Sequence, residues 1–190
     1  MRINNLHEGD YFVWSSHREE NIDLKPNFDK MINSINRLAE TYNKKILFSV
    51  HPRTRNKIEG IELNENIVLS EPLGLIDYYK LQKNSICVIS DSGTVTEEAK
   101  ILNFKAILLR TSTEHPEGID AGSIVLGNND WRYLKRSVKL CIDMPLPDNI
   151  SLGTHSKNNI LHYTDTNFSE KVCKIINGYT GVVNKFIWMK

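Results

Sequence analysis

Short, continuously apolar runs recur along this chain: Tyr11-Phe12-Val13-Trp14, Lys45-Ile46-Leu47-Phe48-Ser49-Val50, Ile67-Val68-Leu69, Ile86-Cys87-Val88, Ala106-Ile107-Leu108-Leu109 and Ser123-Ile124-Val125-Leu126-Gly127. They lack the polar alternation of a half-exposed strand, so they read as strands covered on both faces. The segments between them have helical spacing. Phe28, Met31, Ile32, Ile35, Leu38, Ala39 and Tyr42 lie on one face of a helix, with Pro26 suited to its first turn. A brief helix holds Tyr78, Tyr79 and Leu81, and another, capped by Asp130, carries Trp131, Leu134, Val138 and Cys141. Strands alternating with helices imply right-handed crossovers, and hence an α/β fold with a doubly wound, mostly parallel sheet. We expect that sheet domain over residues 1–142. A loop or linker rich in Pro, Asn, Asp and Ser follows over 143–168, and a C-terminal helix over 169–190 uses Val172, Cys173, Ile176 and Tyr179.

The run ending at Ile89 passes through Ser90-Asp91-Ser92-Gly93-Thr94 directly into the helical Val95-Thr96-Glu97-Glu98-Ala99. At such a junction the first helical N–H groups lack intrahelical partners, and the helix dipole adds partial positive charge, so an anion is favoured there. Gly93 lets an anion approach the backbone, and the Ser92 and Thr94 hydroxyls suit either a phosphate oxygen or a helix cap. Glu97 and Glu98 lie one turn further in, where a carboxylate can accept hydrogen bonds from a ribose diol. An ordinary capped helix, with Ser92 or Thr94 as cap and Glu97 or Glu98 closing a capping box, is the competing reading.

Other polar segments follow strands in the same way: His17 to Asn21, His51 to Arg55, and Arg110 to Glu117. In a parallel sheet ligands bind beyond the carboxyl ends of the strands, so these segments and Ser90 to Glu98 should share one edge and form a nucleotide-type site. Composition narrows the partners. A formal net charge of +1 offers no electrostatic case for nucleic acid or an anionic membrane. No apolar run approaches the ~20 residues of a membrane span, and the first ten residues do not read as a signal peptide, so a cytoplasmic address is expected. Cys87, Cys141 and Cys173 are odd in number, widely spaced and set in apolar segments, so they read as reduced core residues rather than metal ligands or a disulfide.

The set Ser16-His17-Arg18-Glu19-Glu20-Asn21, His51-Pro52-Arg53, Pro72-Leu73, Ser90-Asp91-Ser92-Gly93, Glu97-Glu98-Ala99, Arg110 and Glu114-His115-Pro116-Glu117 resembles, in order, the C-terminal half of the non-hydrolysing UDP-N-acetylglucosamine 2-epimerase family. The resemblance implies a Rossmann-like domain, one half of a two-domain enzyme of the glycosyltransferase-B type with UDP-sugar in the cleft. It places His17 and Arg18 on the diphosphate side, Ser92 and Gly93 on phosphate at the helix N-terminus, Glu98 on the ribose hydroxyls, Arg110 nearby and Tyr78 near the uracil. His17, Glu114 and Glu117 become the catalytic candidates. Departures at Thr94, commonly a second glycine, and His115, commonly arginine, resemble one branch of the family. So do His51-Pro52-Arg53-Thr54-Arg55-Asn56, Leu81-Gln82-Lys83-Asn84 and Val182-Val183-Asn184-Lys185-Phe186-Ile187-Trp188. That branch makes UDP-N-acetyl-L-fucosamine for capsule and O-antigen by epimerising carbon 2 of a 6-deoxy-talose precursor.

The chemistry implied is loss of the carbon 2 proton with departure of UDP to give a glycal, then return of UDP with a proton on the other face. It requires no metal and no redox cofactor. The family's N-terminal domain, with its proton-handling carboxylates, is absent from these 190 residues, so the chain is expected to be a half-enzyme, inactive alone, whose C-terminal helix packs toward that domain. A homodimer of the full-length enzyme is left open. The alternatives are the donor domain of a nucleotide-sugar glycosyltransferase and a non-catalytic nucleotide-sugar-binding module. Blander roles stand beside each residue. His17 can cap or solvate a loop, His51 before Pro52 can be structural, and Glu114 and Glu117 can shape a turn around Pro116. Tyr78 can be core beside Leu75 and Leu81, and His155 and His162 can be solvated linker residues.

Overall fold

The computed structural model describes residues 6–120, 122–145 and 167–189. Six strands, β1 (Tyr11–Ser15), β2 (Lys45–Ser49), β3 (Ile67–Ser70), β4 (Cys87–Ser90), β5 (Ala106–Leu109) and β6 (Val125–Gly127), form one sheet in the order β3-β2-β1-β4-β5-β6, with every pairing parallel. The helices between them are α1 (Glu19–Ile22), α2 (Lys25–Tyr42), α3 (Pro52–Ile58), α4 (Leu75–Lys83), α5 (Val95–Leu102), α6 (Pro116–Asp120) and α7 (Trp131–Asp143). The strand order reverses direction between β1 and β4. That switch point is where a doubly wound sheet opens a crevice at the carboxyl ends of its strands. Ser15 of β1 is in register with Ser90 of β4, so Ser16–Asn21 and Asp91–Thr94 leave the sheet side by side.

Each central strand is buried on both faces, which explains the unbroken apolar runs. Phe12, Trp14, Ile46, Phe48, Cys87, Ile89, Ile107 and Leu109 point to one side, against Phe28, Met31, Ile35 and Leu38 of α2 and Leu134, Val138 and Cys141 of α7. Tyr11, Val13, Leu47, Val88, Ala106 and Leu108 point to the other, against Leu81 of α4 and Val95 and Ala99 of α5. The helices stop where the backbone turns left-handed, at Asn43 (φ 47°) after α2 and at Asn103 (φ 55°) after α5. As the sequence suggests, Asp130 caps α7, accepting a hydrogen bond from the Arg132 N–H.

Several expectations change. The segments His17–Asn21, His51–Arg55 and Arg110–Gly118 read as loops but contain α1, α3 and α6. None of the three has an apolar period to reveal it, and two open on a proline, Pro52 and Pro116, whose fixed φ suits a first helical residue. Ser123 and Ile124 precede β6 rather than belong to it.

The chain divides into two compact units, Met1–Asn149 and Ile150–Lys190. In the second, α8 (Phe168–Phe186) runs through Gly178 and Gly181 and buries none of its own residues; Phe168, Ile176, Tyr179 and Phe186 are exposed. Cys173 is therefore exposed and not a core residue, whereas Cys87 and Cys141 are buried with their Sγ atoms 3.2 Å apart. Most of the expected linker, including His155 and His162, lies outside the described residues.

Candidate functional site

Asp91, the first residue after β4, is the centre of the strand-edge constellation. It is fully buried, and its carboxylate accepts hydrogen bonds from the His17 N–H at 3.1 and 3.2 Å, the Arg18 N–H at 3.1 Å and Asn21 Nδ2 at 2.9 Å. His17 Nδ1 lies 3.3 Å from the same carboxylate. The His17 and Arg18 amides lead into α1, so Asp91 holds the start of that helix from across the sheet and joins the β1 loop to the β4 turn. Its backbone carbonyl accepts from Arg18 Nε at 3.0 Å and Arg110 Nε at 3.2 Å, which sets both guanidinium groups against the turn. Asn21 extends the network, accepting from Asn129 Nδ2 at 2.6 Å.

Thr94 stands at the N-cap of α5, yet no side-chain capping bond forms there. The Ser92 and Thr94 hydroxyls pair with each other at 3.0 Å, and Thr94 Oγ1 donates to Glu98 Oε1 at 2.9 Å. The capping-box reading fails on that geometry; Thr96 N–H turns back to the Gly93 carbonyl at 3.3 Å, and no hydroxyl caps the helix start, where an anion is favoured. A Cβ built on Gly93 would lie 3.4 Å from His115 Nε2 and 3.8 Å from Arg110 Nη2, so a larger residue would fill the space between the turn and these two groups. Arg110 is buried. Its Nη1 donates to Glu114 Oε2 at 3.0 Å, while Nη2, also buried, has no hydrogen-bond partner. A buried guanidinium N–H without an acceptor is costly, and an anion at the Gly93 turn would supply one.

Glu98 is fixed from two sides, by Thr94 and by the buried Gln82, whose Nε2 donates to Glu98 Oε2 at 3.0 Å. Tyr78 sits beside them, half-buried at the edge of the core that α4 and α5 share. Burial raises its phenol pKa, with the Glu98 and Asp91 carboxylates raising it further, against hydrogen bonding to Ser15 and Gln82, which lowers it. Its ring thus packs on the core while its hydroxyl joins the polar cluster.

The elements following β1, β3, β4 and β5 therefore converge: His17, Arg18, Tyr78, Ser92, Gly93, Glu98 and Arg110 share one edge. After β2, Arg55 pairs with Glu71. Glu114 is exposed apart from its bond to Arg110, and Glu117 is exposed in the first turn of α6. Sequence reasoning missed Asp91, Gln82 and the Glu97–His115 pair, in which His115 Nδ1 lies 2.7 Å from Glu97 Oε1. Asp91 sits one residue past a buried strand at the switch point, a position from which a carboxylate can reach the neighbouring loop. Among the described residues there is no metal-type cluster of His, Cys, Asp or Glu, and no helix is long and apolar enough to cross a membrane.

Residues 1–177 match the family model described as UDP-N-acetylglucosamine 2-epimerase. The chain is similar to a UDP-N-acetylglucosamine 2-epimerase of Methanocaldococcus jannaschii, 37% identical over 135 residues, which are 67% of this chain and 37% of that protein. A crystal structure of the M. jannaschii enzyme in complex with UDP-GlcNAc and UDP matches with a TM-score of 0.68 and 34% identity over 73% of this chain and 40% of that one. The Rickettsia bellii UDP-N-acetylglucosamine 2-epimerase matches with a TM-score of 0.70 and 31% identity over 97% of this chain and 48% of that one. This chain thus spans less than half the length of each.

Proposed function

The chain belongs to the UDP-N-acetylglucosamine 2-epimerase family, and we propose that it is the UDP-binding half of a two-domain, cytoplasmic UDP-N-acetyl-sugar 2-epimerase. The observation that carries this reading is the Gly93 turn, where an uncapped helix start meets a buried guanidinium with an unused donor, Arg110 Nη2. In the proposed complex the diphosphate lies on Ser92, Gly93 and Arg110 with His17 and Arg18 flanking it. The ribose diol meets Glu98, held ready by Thr94 and Gln82, and the uracil lies by Tyr78. Abstraction of the carbon 2 proton and cleavage of the C1–O bond send an electron pair onto the β-phosphate oxygen. Positioned donors stabilise that developing charge. Re-addition of UDP with protonation on the opposite face inverts carbon 2.

His17, Glu114 and Glu117 are the residues we assign to the sugar end, with the remaining proton-handling groups supplied by the N-terminal domain of the full-length enzyme. The exposed apolar residues of α8 support packing against that domain. Thr94 and His115 support the finer assignment to the branch acting on a 6-deoxy-talose derivative for capsule or O-antigen.

Calorimetry with the 190-residue chain tests the reading. UDP should bind, and uridine at least tenfold more weakly, because the diphosphate supplies the charge-assisted bonds. Equal affinity for the two would remove phosphate from the Gly93 turn. Incubated with a UDP-N-acetyl sugar in deuterated water, the chain alone should leave carbon 2 unlabelled, whereas a chain supplying both domains should label it.

A further inference from the structure

We propose that occupancy of the Gly93 turn by a diphosphate is coupled to protonation of His115, with Glu97 enforcing the coupling; the inference rests on the UDP reading above. Glu97 Oε1 lies 2.7 Å from His115 Nδ1, and a carboxylate can only accept there, so Nδ1 carries a proton whether the ring is neutral or charged. In the neutral ring the other nitrogen, Nε2, is then a bare lone pair. Nε2 lies beside the Gly93 turn: a Cβ built on Gly93 would be 3.4 Å from it and 3.8 Å from Arg110 Nη2. A lone pair facing a phosphate repels it, whereas the imidazolium Nε2–H donates a charge-assisted bond to it. Proton and diphosphate therefore favour each other's binding, and by linkage each raises the affinity for the other equally.

The surroundings support a coupling carried by this ring. Arg110 Nη2 is buried, lacks a partner and faces the same point, which marks the position as one for an anion independently of the helix terminus. Glu97 Oε2 is buried and also lacks a partner, so its carboxylate is not engaged by another cation and acts on the imidazole. The charged groups around the ring are Glu97 on α5, Arg110 after β5 and, on its own segment, Glu114, which is paired with Arg110, and the exposed Glu117. His115 is anchored by its N–H to Thr113 Oγ1 at 3.1 Å and by Pro116, which opens α6, so the ring is presented from a fixed backbone.

The test is calorimetry of UDP binding to the 190-residue chain in two buffers of different ionisation enthalpy, which counts the protons exchanged on binding. Near pH 7.5 the wild-type chain should take up a measurable fraction of a proton per UDP, and H115Q, whose amide cannot titrate, should take up none beyond what UDP itself exchanges. Wild-type affinity should fall about tenfold between pH 6 and pH 8.5 relative to H115Q, the scale of one charge-assisted hydrogen bond. E97Q, whose amide can donate to Nδ1 and so leave a proton on Nε2 of the neutral ring, should reduce the uptake and flatten the pH dependence of affinity, the result that separates coupling from a purely structural contact. H115N, which places its amide near Nδ1 instead, should behave as H115Q does. Equal proton uptake by the wild type and H115Q would overturn the proposal even if UDP binds well, whereas failure of the wild type to bind UDP would overturn the nucleotide reading beneath it.

Discussion

Asp91→Asn isolates what the buried carboxylate contributes. Asn keeps the shape but gives up the charge and one acceptor. The amide will place its NH2 at the Oδ1 position, because Oδ2 serves Arg18 N–H and Asn21 Nδ2 as well as His17 N–H, at 3.1, 2.9 and 3.1 Å. His17 Nδ1, 3.3 Å from Oδ1, can then turn from donor to acceptor. Three donors keep an acceptor, but a neutral one. A hydrogen bond to a charged group contributes ~1.5–3 kcal/mol against ~0.5–1.5 for a neutral pair, so the expected loss is about 3–4 kcal/mol over the set. Asp91→Ala is harsher. It leaves those donors without an acceptor at ~1–3 kcal/mol each, about 3–9 kcal/mol together, comparable with the whole stability of a domain of this size. Urea unfolding followed by fluorescence of the buried Trp14 would measure both. UDP calorimetry on the folded Asp91→Asn chain should also lose affinity, because the Asp91 side chain holds the His17 and Arg18 amides and the His17 ring. A change below about 0.5 kcal/mol in Asp91→Asn, the level of an ordinary surface substitution, would refute the argument that charge at this position organises the site.

Other perturbations address separate parts of the molecule. Glu98→Gln should weaken UDP more than it weakens a 2′,3′-dideoxyribose analogue, by ~1–2 kcal/mol in the difference, measured by calorimetry; identical losses would take Glu98 off the ribose. Burial raises the Tyr11 phenol from 10.0 to about 12, so its contribution to stability is complete below pH 10 and lost as pH rises through about 12. Tyr11→Phe, which also gives up the 2.7 Å bond to the Leu81 carbonyl, should flatten that alkaline limb in pH-dependent melting. Hydrogen bonds from the Arg132 side chain and N–H lower Asp130 from 3.8 to about 2, so its contribution is present above pH 3.8 and disappears as pH falls toward 2. Asp130→Asn should make melting less pH-dependent across that interval.

The apolar runs locate the strands well because a buried parallel strand leaves few alternatives for an unbroken stretch such as Ala106–Leu109. The short helices escape for the opposite reason. Four residues of α1 cannot show a period, and that helix is held by a carboxylate 70 residues or more away, an interaction no local pattern encodes. Cys173 misleads because its helix has an apolar stripe like that of a core helix, yet the helix buries none of its residues and Cys173 is exposed. The glutamates after Gly93 read as a pair from the residues alone, and only the family resemblance singled out Glu98; the structure turns Glu98 to Gln82 and Thr94 and Glu97 to His115.

Strand order is the information that converts these fragments into a site. Any parallel sheet brings the ends of its strands to one edge, so the sequence argument for convergence was permissive: it admitted the segments after β1, β2, β4 and β5 alike. The order β3-β2-β1-β4-β5-β6 is restrictive. It puts the first and fourth strands in contact with Ser15 opposite Ser90, so that helices depart to opposite sides of the sheet at that seam and leave an opening. A buried acid there can bond amides of the β1 loop through its side chain and arginines from both flanking loops through its carbonyl, which is what Asp91 does. From β2, one strand further out, Arg55 turns to Glu71 after β3 instead. The polar residues of the seam are thereby oriented by the protein before any ligand arrives. Arg110 Nη2 is among the buried groups left unpaired there, and it lies beside Gly93 at the start of α5.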